Sequence, residues 1–168
     1  MKTRFSTTFT IAVIIFSSFP LLGQKAAIQA GDLSRLIGDW QGSLTYLNYQ
    51  DNQYVTIRTN LQIVAGENEN EIKVTNSYPD EPNAGGSYRL WTKKNGTRLN
   101  KELVTAREAL EDGTIEIVTT YRGRDDNKRA TIRITYRIGE NNYSSRKDVQ
   151  YKGETEWIKR NEFSYERS

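Results

Sequence analysis

The sequence has 168 residues, of which 24 are basic and 21 are acidic, and its formal net charge at pH 7 is +3. It contains no cysteine and no histidine. The usual zinc, copper and haem ligands are therefore missing, as are the Cys-His and Ser-His catalytic pairs. We expect no metal and no cofactor. No pair of carboxylates or tyrosines has a spacing that specifies acid-base catalysis, so we expect a protein that is not an enzyme.

The N-terminal residues, 1–23, have the three parts of a secretory signal peptide. Basic residues come first, an apolar run follows at residues 9–16, and Pro20 precedes the small Gly23. A membrane-spanning helix needs roughly 20 continuous apolar residues, so we expect no span here. We predict cleavage near Gly23 and export to the periplasm or the extracellular space. Removing the leader takes two of the 24 basic residues and none of the 21 acidic ones, which lowers the net charge from +3 to +1.

The residues that follow the leader divide into a tether and one domain. Residues 24–35 are small and polar, and we interpret them as an N-terminal tether before a domain at 36–168. From Trp40 onward, apolar side chains recur at every second position, which predicts half-buried β-strands. The first three inner faces are Trp40, Gly42, Leu44 and Tyr46; Val55, Ile57, Thr59, Leu61 and Ile63; and Ile72, Val74, Asn76 and Tyr78.

The second half of the chain continues this pattern after a short predicted strand at 88–92. Residues 100–110 are ambiguous, because leucines three or four apart suit a helix while residues 103–105 suit a strand. We favour a strand, since this segment connects two others. The remaining inner faces are Ile115, Ile117, Thr119 and Tyr121; Ala130, Ile132, Ile134, Tyr136 and Ile138; Tyr143, Ser145, Lys147, Val149 and Tyr151; and Trp157, Lys159, Asn161, Phe163 and Tyr165.

The whole pattern predicts an all-β fold. About nine short strands follow one another at regular spacing, with no long helix and no internal repeat. Consecutive hairpins with one polar and one apolar face are typical of an up-and-down barrel or a sandwich. Closure removes the exposed edges that an open meander would leave, so we favour an antiparallel up-and-down β-barrel of eight to ten strands.

Gly38-Asp39-Trp40, at the head of the first long strand, resembles the G-x-W motif of lipocalins and their calycin relatives. More of the chain is similar to lipocalin-like secreted proteins of Bacteroidetes-type bacteria, through LIGDWQGSLTYL, GTIEIV, SRKDVQY and RNEF. The resemblance implies a lipocalin-like barrel with a hydrophobic ligand. It also implies structural roles for Gly38, for Trp40 as the plug of the barrel floor, and for Arg160 as the basic residue that packs over the indole.

Polar side chains interrupt the apolar inner faces. Small barrels either fill with side chains or hold one small ligand, and sparse polar groups in an apolar wall orient such a ligand. We predict a lumen that binds a small amphipathic or hydrophobic molecule. The alternative is a solid barrel, an envelope or protein-interaction module with no small-molecule ligand, in which these groups hydrogen-bond one another. The candidate lumen residues are Tyr46, Thr59, Asn76, Thr119, Tyr121, Tyr136, Lys147 and Asn161.

Lys147 is the most informative of these residues. Its alternation with Val149 and Tyr151 turns a cation inward, where an isolated charge is costly. It either pairs with a carboxylate or phosphate of a ligand, or it lies near an open end and its amine reaches water. The sequence leaves both interpretations of Lys147 open.

The outer face of one predicted strand has a row of arginines, Arg129, Arg133 and Arg137. Such a stripe can bind nucleic acid, but a net charge of +1 after leader removal argues against that partner. We interpret the row as a solvated face. Asp125 and Asp126 are interpreted as turn residues, because no spaced set of oxygen ligands for calcium follows them.

Overall fold

The computed structural model describes residues 26–168, so the predicted leader lies outside the described residues. Ten antiparallel strands follow a short 3-10 helix, Ser34–Leu36, and close into an up-and-down barrel in which β1 pairs with β10. The predicted all-β barrel is confirmed. The strands are β1 (Gly38–Leu47), β2 (Tyr54–Ala65), β3 (Glu71–Ser77), β4 (Gly86–Lys93), β5 (Arg98–Leu99), β6 (Glu102–Ala109), β7 (Ile115–Asp125), β8 (Lys128–Ile138), β9 (Asn142–Tyr151) and β10 (Ile158–Arg167).

The ambiguous segment at 100–110 forms strand β6, which pairs with β7. The prediction of a strand is confirmed, although a bulge at Thr105 interrupts the ladder. The leucines with helix-like spacing do not share one buried face, because Leu99 is 2% exposed whereas Leu103 points outward and is 46% exposed. β5 has only two residues, and it joins β4 to β6.

The strand register places predicted inner residues side by side. Tyr46 lies opposite Asn161, and Asn161 lies opposite Lys147. Lys147 is in turn opposite Ile134, which faces Thr119. Because directly opposed residues share one face of the sheet, these five side chains form one row across β1, β10, β9, β8 and β7.

The hairpin between β7 and β8 is tighter than predicted. Alignment of the predicted inner faces at 115–121 and 130–138 places Arg122 opposite Arg129, whereas in the structure Arg124 pairs with Arg129. The turn contains only residues 126–127, both with positive φ (47° and 57°), as in a two-residue type I′ hairpin. A slip of two residues keeps the same faces together. It extends β7, however, so the interpretation of Asp125 as a turn residue is wrong.

The start of β10 also differs from the prediction. A bulge between Lys159 and Asn161 shifts the alternation by one residue. Ile158 therefore lies opposite inward-facing Val149. The predicted inward positions of Trp157 and Lys159 are wrong, because an unrecognised bulge reverses every side chain that precedes it.

Trp40 closes one end of the barrel, which we call the floor end. Its side chain is 1% exposed, and its indole N–H donates a hydrogen bond of 2.8 Å to the carbonyl oxygen of Leu36. The guanidinium carbon of Arg167 lies 4.1 Å from the centre of the indole ring. The prediction that Arg160 covers Trp40 is therefore wrong. In an antiparallel pair the start of β1 meets the end of β10, and Trp40 lies opposite Arg167.

Two glycines allow the chain to pass closely around Trp40. Gly38 has a φ of 138°, a conformation that L side chains rarely adopt. At Gly42, a Cβ atom would collide with the carbonyl oxygen of Ser164 on β10. A larger residue at either position would strain the backbone beside the plug.

The segment interpreted as a tether is described from Ala26 onward, and it packs against the floor end. Ile28 and Leu33 are only 6% and 5% exposed. Arg107 on β6 donates two hydrogen bonds to the carboxylate of Asp32, at 2.7 and 2.8 Å. The main apolar core therefore lies at this end, where the N-terminal segment covers Trp40 and its neighbours.

Candidate ligand-binding site in the barrel lumen

A cavity of about 220 Å³ lies inside the barrel, on the far side of the Trp40 plug from the N-terminal segment. Leu61 and Leu90 supply an apolar surface, and Asn76 and Ser145 supply polar groups. Aromatic side chains form most of the remaining wall. They are Tyr88, Tyr136, Tyr143, Phe163 and Tyr165.

Four aromatic rings form a continuous column from the floor to this cavity. The ring of Trp40 meets Tyr143 edge to face, with centroids 6.1 Å apart. Tyr143 stacks on Tyr165 at 5.8 Å, and Tyr165 stacks on Phe163 at 6.0 Å. These separations lie within the range in which aromatic pairs attract each other.

The tyrosines of the lumen stay neutral at physiological pH. Burial raises the pKa of the Tyr136 hydroxyl well above its ordinary value, and it raises the pKa of Tyr143 and of Tyr165 as well. A neutral phenol both donates and accepts hydrogen bonds. The wall of the cavity therefore combines stacking surface with neutral hydroxyl groups.

Of the predicted lumen residues, Asn76 and Tyr136 line the cavity. The side-chain amide of Asn76 already donates to the hydroxyl of Tyr78, at 3.1 Å. Its oxygen accepts a hydrogen bond from the backbone N–H of Gly86, also at 3.1 Å. Asn76 therefore fixes the loop between β3 and β4 at the rim of the cavity.

Thr59 and Thr119 do not line the cavity, because both side chains are fully buried in the wall. The hydroxyl of Thr59 donates to the carbonyl oxygen of Ser77, at 3.2 Å. The hydroxyl of Thr119 donates to the carboxylate of Glu102 on β6. These hydrogen bonds satisfy both threonines within the protein.

Beyond the cavity lies the opposite end of the barrel, which we call the loop end. Lys147 is two residues past Ser145 along β9, which places it about 7 Å further toward this end. Tyr46 and Asn161 occupy the same row. Tyr121 packs against a second small apolar cluster, which lies on β8 and β9. The turns of this end are residues 48–53, 78–85, 100–101, 126–127 and 152–157.

Asp125 is the centre of a charged network at the loop end, and its side chain is 2% exposed. The amine of Lys147 donates to it at 2.7 Å, and the hydroxyl of Tyr151 donates to it at 3.0 Å. The guanidinium Nε of Arg160 lies 3.2 Å from the same carboxylate. Lys147 thus has a partner within the protein, and Arg160 lies in this network instead of at the floor end.

The ionisation of this network follows from its contacts. Burial acts to raise the pKa of Asp125, but hydrogen bonds from Lys147, Tyr49 and Tyr151 outweigh it and lower the pKa. Burial, together with the hydrogen bond to Asp125, raises the pKa of Tyr151 to about 12. The carboxylate is therefore charged and the phenol neutral at pH 7. Asp125 was not predicted as a lumen residue, because the two-residue turn that follows it was not recognised in the sequence.

Glu102 is a second carboxylate near the lumen that was not predicted from the sequence. Glu102 is the first residue of β6, in the segment with ambiguous periodicity. Burial raises the pKa of Glu102, and the hydrogen bond from Thr119 opposes this effect. Glu102 lies two residues before the buried Val104, so period-two alternation in β6 would have predicted that its side chain points inward.

One expectation about the outer surface is wrong. Asp148 is 1% exposed on the outer face of β9, and Arg133 and Arg146 form ion pairs with it at 3.2 and 2.8 Å. The ring of Trp157 lies 4.2 Å from the guanidinium carbon of Arg133. Arg133 is therefore paired and only 34% exposed, because Trp157 in the loop before β10 lies over it, so the interpretation of the row as a fully solvated face is wrong at this position. Arg137 pairs with Glu116 at 2.8 Å and is largely exposed.

Between Ala26 and Ser168, no three carboxylates lie close enough together to hold a metal ion. In the same part of the chain, no helix has the length and apolar character needed to cross a membrane.

Comparison with known proteins supports the fold. No family model and no curated protein matches the chain. The crystal structure of Rv2717c from M. tuberculosis is similar, with a TM-score of 0.56 and 16% identity, over 81% of this chain and 94% of that one. The two chains share a barrel fold, which in this chain is a closed, ten-stranded antiparallel β-barrel. At this identity, the likeness extends to the fold alone.

Two further solved structures are more distant. One is a secretary abundant heat soluble protein from Ramazzottius varieornatus, with a TM-score of 0.40 and 12% identity, over 80% of this chain and 96% of that one. The other is a protein with unknown function from the DUF3598 family of Nostoc punctiforme. Its TM-score is 0.41 and its identity 14%, over 90% of this chain and 53% of that one.

Proposed function

We propose that this protein is a non-enzymatic binding protein that holds one compact small molecule in its lumen. The observation that supports this proposal is the cavity of about 220 Å³ beside the aromatic column. Its wall offers ring faces for stacking and neutral hydroxyl groups for hydrogen bonds. A few polar groups in an otherwise apolar cavity are typical of sites that orient a small molecule.

The volume of the cavity limits the size of the ligand. Pockets for drug-sized ligands have volumes of about 300 to 1,000 Å³, and this cavity is smaller. A cavity of about 150 Å³ accepts benzene. The ligand is therefore a molecule of about one ring, and a long acyl chain is too large. The cavity volume therefore restricts the predicted class of small amphipathic or hydrophobic ligands to molecules of about one ring.

Calorimetric titration with benzamide, a neutral single-ring probe, tests the proposal. Ser145 lines the cavity, while its neighbour Ser144 faces outward on the same strand. Ser145→Leu fills the cavity and should abolish binding, whereas Ser144→Leu should leave it unchanged. Equal binding to both variants would place the probe outside the lumen and contradict the proposal.

A protein-interaction module without a small-molecule ligand is the second candidate. Three large aromatic side chains are half-exposed, namely Tyr49 and Tyr54 at 52% and Tyr88 at 48%. Tyrosine is enriched in protein interfaces. Failure of wild-type protein to bind any single-ring probe, together with a stable complex with a protein from its host, would favour this candidate.

We also propose that the chain belongs with the lipocalin-like, calycin-type secreted proteins of Bacteroidetes-type bacteria. The G-x-W motif at Gly38–Trp40 and the signal-like residues 1–23 support this assignment. The protein is then exported to the periplasm or the extracellular space after cleavage near Gly23. N-terminal sequencing of the protein from its host tests this step, and a retained leader would contradict it.

A further inference from the structure

Arg160 is a buried cation with incomplete hydrogen bonding. Its residue is 6% exposed, and neither its Nε nor its Nη2 atom has a hydrogen-bond partner in the described part of the protein. Nε lies 3.2 Å from a carboxylate oxygen of Asp125, but the angles are not those of a hydrogen bond. Burial of N–H groups without acceptors is costly. The site therefore lacks an acceptor.

The charges around Arg160 do not balance. Lys147 and Arg160 are two cations, and Asp125 is the one carboxylate that both approach among the residues that the structure describes. Glu102 forms its hydrogen bond with Thr119 instead. The network consequently has a surplus of one positive charge, which one monoanion would neutralise.

An aromatic ring from the loop between β1 and β2 lies over the guanidinium of Arg160. The ring of Tyr49 lies 3.8 Å from the guanidinium carbon of Arg160. Tyr49 belongs to the loop between β1 and β2 and is itself 52% exposed. Rotation of this side chain would uncover the guanidinium without any change in the barrel strands.

We propose that Arg160 and Lys147 bind the carboxylate of an acidic ligand, and that Tyr49 is the movable cover of this site. The inference rests on the proposed function, because the cavity holds the ring of the same ligand. Lys147 follows Ser145 of the cavity wall by two residues on β9, a rise of about 7 Å, so the ring-binding and charge-binding groups follow one another along the same strand. A guanidinium matches the planar carboxylate with paired hydrogen bonds.

Benzoate and benzamide test the inference, because they share one ring and differ in charge. Wild-type protein should bind benzoate about 10- to 100-fold more tightly than benzamide, as expected for hydrogen bonds to a charged group. Arg160→Gln should remove this preference, so that benzoate binds no more tightly than benzamide. Arg129→Gln, which removes one exposed arginine from the outer face of β8, is the matched control and should retain the preference.

Two substitutions at Tyr49 test the cover. Both variants lose the hydrogen bond from the Tyr49 hydroxyl to Asp125. Tyr49→Ala also removes the ring and should accelerate benzoate association more than Tyr49→Phe, which keeps the ring. Neither variant removes a charge from the lumen. They therefore test the site even if Arg160→Gln does not fold. Equal association rates in Tyr49→Ala and wild type would show that Tyr49 is not a cover.

The outcomes separate this inference from the proposed function. Binding of benzamide without any preference for benzoate would overturn the inference and leave the binding function in place. Failure of both probes to bind would overturn both. A benzoate preference that persists in both Arg160→Gln and Lys147→Met would also overturn the inference, because the carboxylate would then lie elsewhere.

Discussion

Asp125 links the charged side chains of the loop end, and its removal has a predictable cost. Asp125→Asn leaves Lys147 and Arg160 without their counter-charge, which should lower the free energy of unfolding by about 3 to 5 kcal/mol. Because the folded-state pKa of Asp125 is lowered, its stabilisation is present above its unfolded pKa, near 4. That stabilisation disappears as the pH falls through the folded pKa.

Denaturant titration at pH 7 measures this effect. Asp126→Asn is the matched control, because Asp126 is exposed in the adjacent turn and asparagine tolerates its positive φ. We expect little change for the control. Equal stability of the two variants would mean that Asp125 is not the counter-charge of the network.

Glu102 should have the opposite pH dependence. Its folded-state pKa is raised, so ionisation at neutral pH opposes folding, and this penalty disappears below the unfolded pKa, near 4. Glu102→Gln should therefore be more stable than wild type at pH 7 and equally stable below about pH 4. Denaturation at the two pH values measures this difference. A less stable variant at pH 7 would indicate a cation partner for the carboxylate.

At the scale of elements, Trp40 joins β1, β10 and the N-terminal segment. Trp40→Ala should lower the free energy of unfolding by about 3 to 5 kcal/mol, the usual range for a buried aromatic residue. Val64→Ala on β2 is the control, since Val64 is 45% exposed and its loss should cost little. Thermal or chemical denaturation compares them. Similar small losses would contradict the role of Trp40 as a floor plug.

The period-two pattern was sufficient to predict most of the strands and most of their inner faces, because one apolar side chain every two residues defines a half-buried strand. It could not locate irregular positions. A bulge in β10 placed Arg160 inside the barrel and Trp157 outside it. A two-residue turn moved Asp125 from a loop into the lumen. Bulges and turn lengths depend on cross-strand contacts that one sequence does not display.

The candidate site was predictable only in part, for a related reason. Alternation identified Asn76 and Tyr136, which line the cavity. It also selected Thr59 and Thr119, whose hydroxyls are satisfied inside the wall. A side chain that points into the barrel does not necessarily line a cavity. Whether it does depends on how far Tyr143 and its stacked neighbours fill the lumen, and this follows from side-chain packing that the alternation does not show.

At the scale of the whole molecule, the two ends of the barrel differ in chemistry. The floor end is apolar and is closed by Trp40 and the N-terminal segment. The loop end contains the charged network around Asp125. The cavity lies between them and has an aromatic wall. This arrangement favours a ligand that has a ring at one end and a polar or charged group at the other.

Native mass spectrometry of the protein purified from its own host tests the central claim, that the lumen holds one compact small molecule. Wild-type protein and the Ser144→Leu variant should both retain a bound molecule of about one ring at one copy per chain, whereas Ser145→Leu should be free of it. A wild-type protein without any bound molecule, or with a long-chain lipid that Ser145→Leu also retains, would contradict the claim.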